Sequence, residues 1–202
     1  VPNNMTDTML AAFKRIMSLT DTQTAWIQVV CYLLGYGCFA LPGAIFIKRR
    51  TFKSGVLLGL LLCITGSMLF YPAMLVNEIS SPLSFATYLF GIFVLFAGLS
   101  VLETSTNAYV YALGDPRTAT RRLNFSQSFN PFGALTGVLA SQIFVLSQLN
   151  TMTAGERNTL SGAELVSIQR GELNAVTMAY LILGDAGAVT VDHIHQNAQS
   201  AG

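Results

Sequence analysis

Charge is what this chain has least of. Asp, Glu, Lys and Arg together make up 10% of its 202 residues, whereas 52% are hydrophobic. Soluble domains carry roughly 25% charged residues, so the deficit excludes an ordinary water-facing surface and points to a chain whose solvent is largely lipid. The balance of 11 basic against 10 acidic residues excludes the basic patch of a nucleic-acid binder. Cysteine is sparse and odd in number. Cys31, Cys38 and Cys63 all fall inside apolar runs, which argues against a disulfide framework and for packing residues. No HExxH, GxSxG or paired catalytic aspartates occur, and His193 and His195 lack the further ligands a zinc site needs. An enzyme, a metal site and a cofactor are therefore not expected. The opening VPNNMTDTML lacks the basic-then-apolar order of a signal peptide. It also lacks an initiator Met, which is read as a start within a longer sequence.

What the chain does have is long uncharged runs. Thr22 to Ile47, Ser54 to Asn77 and Ile79 to Leu102 each exceed the ~20 residues a spanning helix needs, and the third is expected to continue toward Leu113. Leu123 to Gly155 is also uncharged, with a polar first part. Residues 3–17 read as the end of a helix, and Leu173 to Gly184 as the start of one too short to span. The length suits five or six spanning helices. Asn150 to Glu172 reads as a polar external loop. Residues 185–202 read as a polar tail, foreign or disordered, apart from a bundle over residues 1–184. Gly55 and Gly59, Gly133 and Gly137, and the pair Gly91 and Gly98 form small-residue faces expected to pack helices against one another.

Two loops set the orientation. Lys48, Arg49, Arg50 and Lys53 lie in one; Arg117, Arg121 and Arg122 lie in another on the same side. The positive-inside rule puts both in the cytoplasm, and leaves Lys14 and Arg15 as a mild violation on the other side.

Glu103 interrupts an apolar run that holds no other charge from Ile79 to Gly114. A charge at the bilayer centre costs on the order of 2.5–3.5 kcal/mol. Protonating an ordinary glutamate at pH 7 costs about 3.7 kcal/mol. The two costs are close, so a carboxylate in such a place can exchange protons with modest changes of surroundings, as a proton-coupled carrier requires. A hydrated glutamate near the interface fits the sequence equally. Asn107 and Tyr111 follow at i+4 and i+8 on the same face, flanked by Thr104 and Thr106. Asn124, Gln127 and Asn130 form a second stripe, and Pro131 predicts a bend beside it. So many polar groups on consecutive helices read as a water-filled cavity for a polyhydroxylated ligand. Asn3, Asn4 and Asp7 form a further polar cluster near the start.

The segments NNMTDTMLAAFKRIMSLTDTQTAWIQ, VLETSTNAYVYALG and RRLNFSQSFNPFGALTG resemble the fucose:proton symporter group of the major facilitator superfamily, over about residues 2–184. The superfamily's general loop motif is not reproduced, since Ile47 stands at its acidic position. The resemblance implies an all-α membrane protein comprising part of an amino-terminal six-helix bundle, from the end of helix one to the start of helix six. It implies sugar–proton symport by alternating access in the bacterial inner membrane, together with a carboxy-terminal half. Asp7 and Glu103 match carboxylates tied to proton coupling and substrate binding; Asn4, Gln127 and Asn130 match amides that line the sugar site, beside Asn107. The expected partners are a proton, the lipid bilayer and a sugar of the fucose, galactose or glucose class. The competing expectation is a truncated or degraded membrane fragment that transports nothing and only packs helices.

Overall fold

A computed structural model of the chain describes Lys14, Ile16, residues 20–76 and 81–144, Ser147, Leu149, Met152, Glu156 and residues 159–199. Asn3, Asn4 and Asp7 lie outside the described residues. Helix α1 (Asp21–Gln28) runs into a π-helical segment, Val29–Gly37, and then into α2 (Cys38–Arg49). Next come α3 (Phe52–Met68), α4 (Phe70–Val76) and the long α5 (Ser81–Ala112). A 3₁₀ turn, Pro116–Thr118, leads to α6 (Ala119–Gln127), α7 (Asn130–Phe144) and α8 (Gly162–Gln199). Among the described residues, four stretches are long and apolar enough to cross a membrane: Thr24–Arg49, Phe52–Val76, Pro82–Ala112 and Glu164–His193. The protein is an all-α, multi-pass membrane protein.

Local chemistry explains the breaks. Pro72 has no N–H for the Met68 carbonyl, and the chain turns at Leu69 between α3 and α4. Pro131 likewise offers nothing to the Gln127 carbonyl, and the chain turns at Ser128 and Phe129 between α6 and α7. The expected bend is therefore present, and the uncharged run from Leu123 is two helices, of which the described part of the second ends at Phe144. Thr51 caps α3, its hydroxyl accepting the Ser54 N–H at 3.1 Å. Helix α5 ends through Gly114, whose φ of 85° lies in the left-handed region.

The guanidinium of Arg122 folds back over the end of α5. It donates to the Tyr111 carbonyl at 3.1 Å, the Asp115 carbonyl at 3.0 Å and the Thr118 hydroxyl at 2.6 Å. A cation placed on the last carbonyls of a helix satisfies groups left without intrahelical donors and complements the helix dipole. On the opposite side by the expected orientation, Lys14 pairs with Asp21. The hydrogen bond from the Lys14 ammonium, and its charge, hold the Asp21 carboxyl below its ordinary value. Lys14 is thus a neutralised exception to the loop-charge pattern.

Helices α3 and α5 meet backbone to backbone. A Cβ added at Gly59 would lie 2.7 Å from the Leu102 nitrogen, at Gly66 2.6 Å from the Leu95 nitrogen, and at Gly98 2.7 Å from the Cys63 nitrogen. No side chain fits there, so the Gly55/Gly59 and Gly91/Gly98 faces expected from sequence serve packing within the chain. At the other end of these helices, Phe70 stacks on Tyr180 with ring centroids 4.3 Å apart and meets Tyr88 edge-on at 5.3 Å. The Tyr88 and Thr177 hydroxyls lie 3.2 Å apart within this buried cluster.

Helix α8 departs from the sequence reading. It begins at Gly162, not at Leu173, because Ser161 and Glu164 form a capping box: the Ser161 hydroxyl accepts the Glu164 N–H at 3.4 Å, and the Glu164 carboxylate accepts the Ser161 N–H at 3.2 Å. It also continues as a helix through residues 185–199.

Candidate substrate cavity

The polar residues of α5 all have somewhere to go. Thr104, Ser105 and Thr106 turn their hydroxyls back onto carbonyls four residues earlier, at 2.7, 2.6 and 2.9 Å. Glu103 and Asn107, one turn apart, line a cavity of about 1180 Å³ together with Thr106. Its opposite wall is the broken α6–α7 helix, which contributes Gln127 and Asn130 on either side of the Ser128–Phe129 turn. Helix α3 supplies an apolar wall through Val56 and Leu60. All four described residues nominated from the sequence, Glu103, Asn107, Gln127 and Asn130, therefore line one cavity. Pockets of about 300–1,000 Å³ bury drug-sized ligands, so this one has room for a hexose and water.

The polar groups are already paired across the helices. Gln127 Nε2 donates to Asn107 Oδ1 at 3.0 Å. That bond leaves the Gln127 carbonyl oxygen and the Asn107 amino group to serve a ligand. Tyr36 donates its hydroxyl to the Glu103 carboxylate. Among the described residues, Glu103 is the single formally charged one lining the cavity. The cavity thus offers, among the described residues, one carboxylate acceptor, three amides that both donate and accept, and an apolar wall.

Packing fixes the depth that sequence left open. Leu102 lies against Gly59, so Glu103 stands about two turns inside the α3 end that follows Arg50 and Thr51. It is neither at the loop nor at mid-span.

Other expectations resolve differently. Tyr111 and Asn124, the outer members of the two stripes, do not line the cavity, and both are exposed. Tyr36 and Thr190 were missed. Tyr36 sits in the π-helical segment between Gly35 and Gly37, and its carbonyl accepts the Ser100 hydroxyl at 2.8 Å. π-winding is frequent at functional sites, but no residue pattern in the sequence marked it here. Thr190 lies in the segment read as a tail, which concealed its place in the cavity wall.

No family model matches the chain. Comparison with individual proteins is more informative. The chain is 41% identical to the L-fucose-proton symporter of Haemophilus influenzae over 187 residues, 90% of this chain and 42% of that protein. It is 32% identical to the Escherichia coli L-fucose-proton symporter over 91% of this chain and 40% of that one. A glucose/galactose transporter of Brucella abortus is 30% identical over 92% and 40% of the two chains. Among solved structures, the transporter FucP in an outward conformation superposes with a TM-score of 0.81 at 30% identity, covering 96% of this chain and 45% of that one. The fold is that of the major facilitator superfamily, and the cavity lies among its membrane helices. Within that superfamily the chain belongs to the fucose permease-like group. It spans about two fifths of the length of the curated relatives it matches.

Proposed function

We propose that the chain forms part of a sugar–proton symporter of the bacterial inner membrane, working by alternating access, with the Lys48–Lys53 and Asp115–Arg122 loops in the cytoplasm. The observation that carries this reading is the meeting of Glu103 with Asn107, Gln127 and Asn130 around one cavity. Glu103 is the proton-exchanging carboxylate; the three amides hold sugar hydroxyls. Asp7 and Asn4 join them as the second carboxylate and a further amide. The relatives' names, fucose and glucose/galactose carriers, support a sugar of that class as the substrate, and a carboxy-terminal half completes the site.

The test is uptake of labelled fucose, galactose and glucose into vesicles by this chain joined to the remaining part of its Haemophilus influenzae relative. Accumulation driven by an inward proton gradient is expected for at least one sugar. Glu103→Gln should abolish gradient-driven accumulation. If that variant kept both uptake and its pH dependence, the role given to Glu103 would be wrong. A well-inserted chimera that moved none of the three sugars would favour the packing-only fragment.

A further inference from the structure

A second cavity, of about 430 Å³, lies at the helix ends where α2 turns into α3. Lys48 and Arg50 line it, with Ala44, Ile47, Phe52, Thr104 and Ala108 as its other walls. The link between the two helices is only Arg50 and Thr51. It therefore crowds Lys48, Arg49, Arg50 and Lys53 together, and no carboxylate among the described residues pairs with any of the four. Like charges this close repel and favour a bound anion.

The walls say which anion. Apart from Thr104, whose hydroxyl is already bonded to the Ser100 carbonyl, every remaining wall residue is apolar. On α2, Leu41, Ala44, Ile45 and Lys48 follow at i, i+3, i+4 and i+7, one stripe along the helix. Leu41 is 74% and Ile45 55% exposed. An apolar track thus runs from the bilayer up to two cations at its edge. A free phosphate would have no use for the track; a phospholipid would use both parts. Basic pockets between membrane helices on the cytoplasmic side hold anionic headgroups.

We propose that Lys48 and Arg50 form a site for one anionic phospholipid of the cytoplasmic leaflet, its phosphate between the two cations and one acyl chain along Leu41 and Ile45. The site is separate from the sugar cavity and does not depend on transport.

The experiment is native mass spectrometry of the purified chain after exposure to equal amounts of phosphatidylglycerol and phosphatidylethanolamine. One retained phosphatidylglycerol is expected in preference. Each cation near the headgroup is worth about fivefold in binding, so Lys48→Gln with Arg50→Gln should weaken retention about twenty-five-fold. The pair Arg49→Gln with Lys53→Gln removes equal charge outside the cavity and should keep most of it. Ala108→Phe fills the cavity, leaves the charge unchanged and should also reduce retention. Circular dichroism checks that each variant keeps its helices. Three results would overturn the proposal: equal loss in the two charge pairs, no preference between the lipids, or displacement of the lipid by millimolar inorganic phosphate.

Discussion

Helix α5 turns two different faces to its neighbours. Toward α3 it presents Gly91, Gly98 and Ser105, and the backbones touch. Toward α6 and α7 it presents Glu103 and Asn107, and the helices stand apart around the cavity. Each face needs what the other lacks. With no hydrophobic drive between helices in lipid, a tight contact requires small residues and many dispersion contacts. A cavity requires polar groups whose partners are one another or water. The close face supplies the fixed frame against which the polar face can be held open. Without it, a few interhelical hydrogen bonds of about 0.6 kcal/mol each would have to fix the geometry.

The largest expected effect falls on the close face. Gly98→Leu puts atoms where backbone and the Cys63 sulfur already are, and should destabilise the fold by about 3 kcal/mol, read as a shift in the unfolding midpoint in mixed detergent. Gly171, mid-helix in α8 with nothing within 4 Å, is the control; Gly171→Ala should be neutral or stabilise by up to about 1 kcal/mol. Equal loss in both would break the distinction between close and open positions. On the open face, Tyr36→Phe removes one donor to a carboxylate. It should move the unfolding midpoint less than Gly98→Leu does and slow uptake by about tenfold, since a hydrogen bond to a charged group contributes about 1.5–3 kcal/mol net. The smallest effect belongs to the amide pair. Gln127→Ala should weaken sugar binding about fivefold, from a bond of about 1 kcal/mol. Asn107→Ala added to it should cost less than it does alone, as coupled neighbours do. Strict additivity would mean that the two amides act separately.

Much of the open face was legible because α-helical spacing carried it. Glu103 and Asn107 are one turn apart, and Gln127 and Asn130 stand out from an uncharged run. Tyr36 was not legible for the converse reason: i→i+5 winding changes which residues share a face, and no hydropathy pattern announces it. Thr190 was hidden by the polar composition of its segment, although Ser161 and Glu164 signalled an earlier, longer helix. The small-residue faces showed in the sequence; which helix each would meet did not, because that depends on pairing distant segments. For the same reason the depth of Glu103 emerged only from the contact of Leu102 with Gly59.

The Arg122 clamp has a mechanical consequence. By tying the end of α5 to the turn that follows, it makes α5 and α6 one stiff hairpin, with Asn107 on one arm and Gln127 on the other. Asn130 stands past the joint at Ser128 and Phe129. A ligand bridging Gln127 and Asn130 therefore spans a joint, while the Asn107–Gln127 pair spans none. Were that joint to flex, the distance between Gln127 and Asn130 would change while that between Asn107 and Gln127 would not.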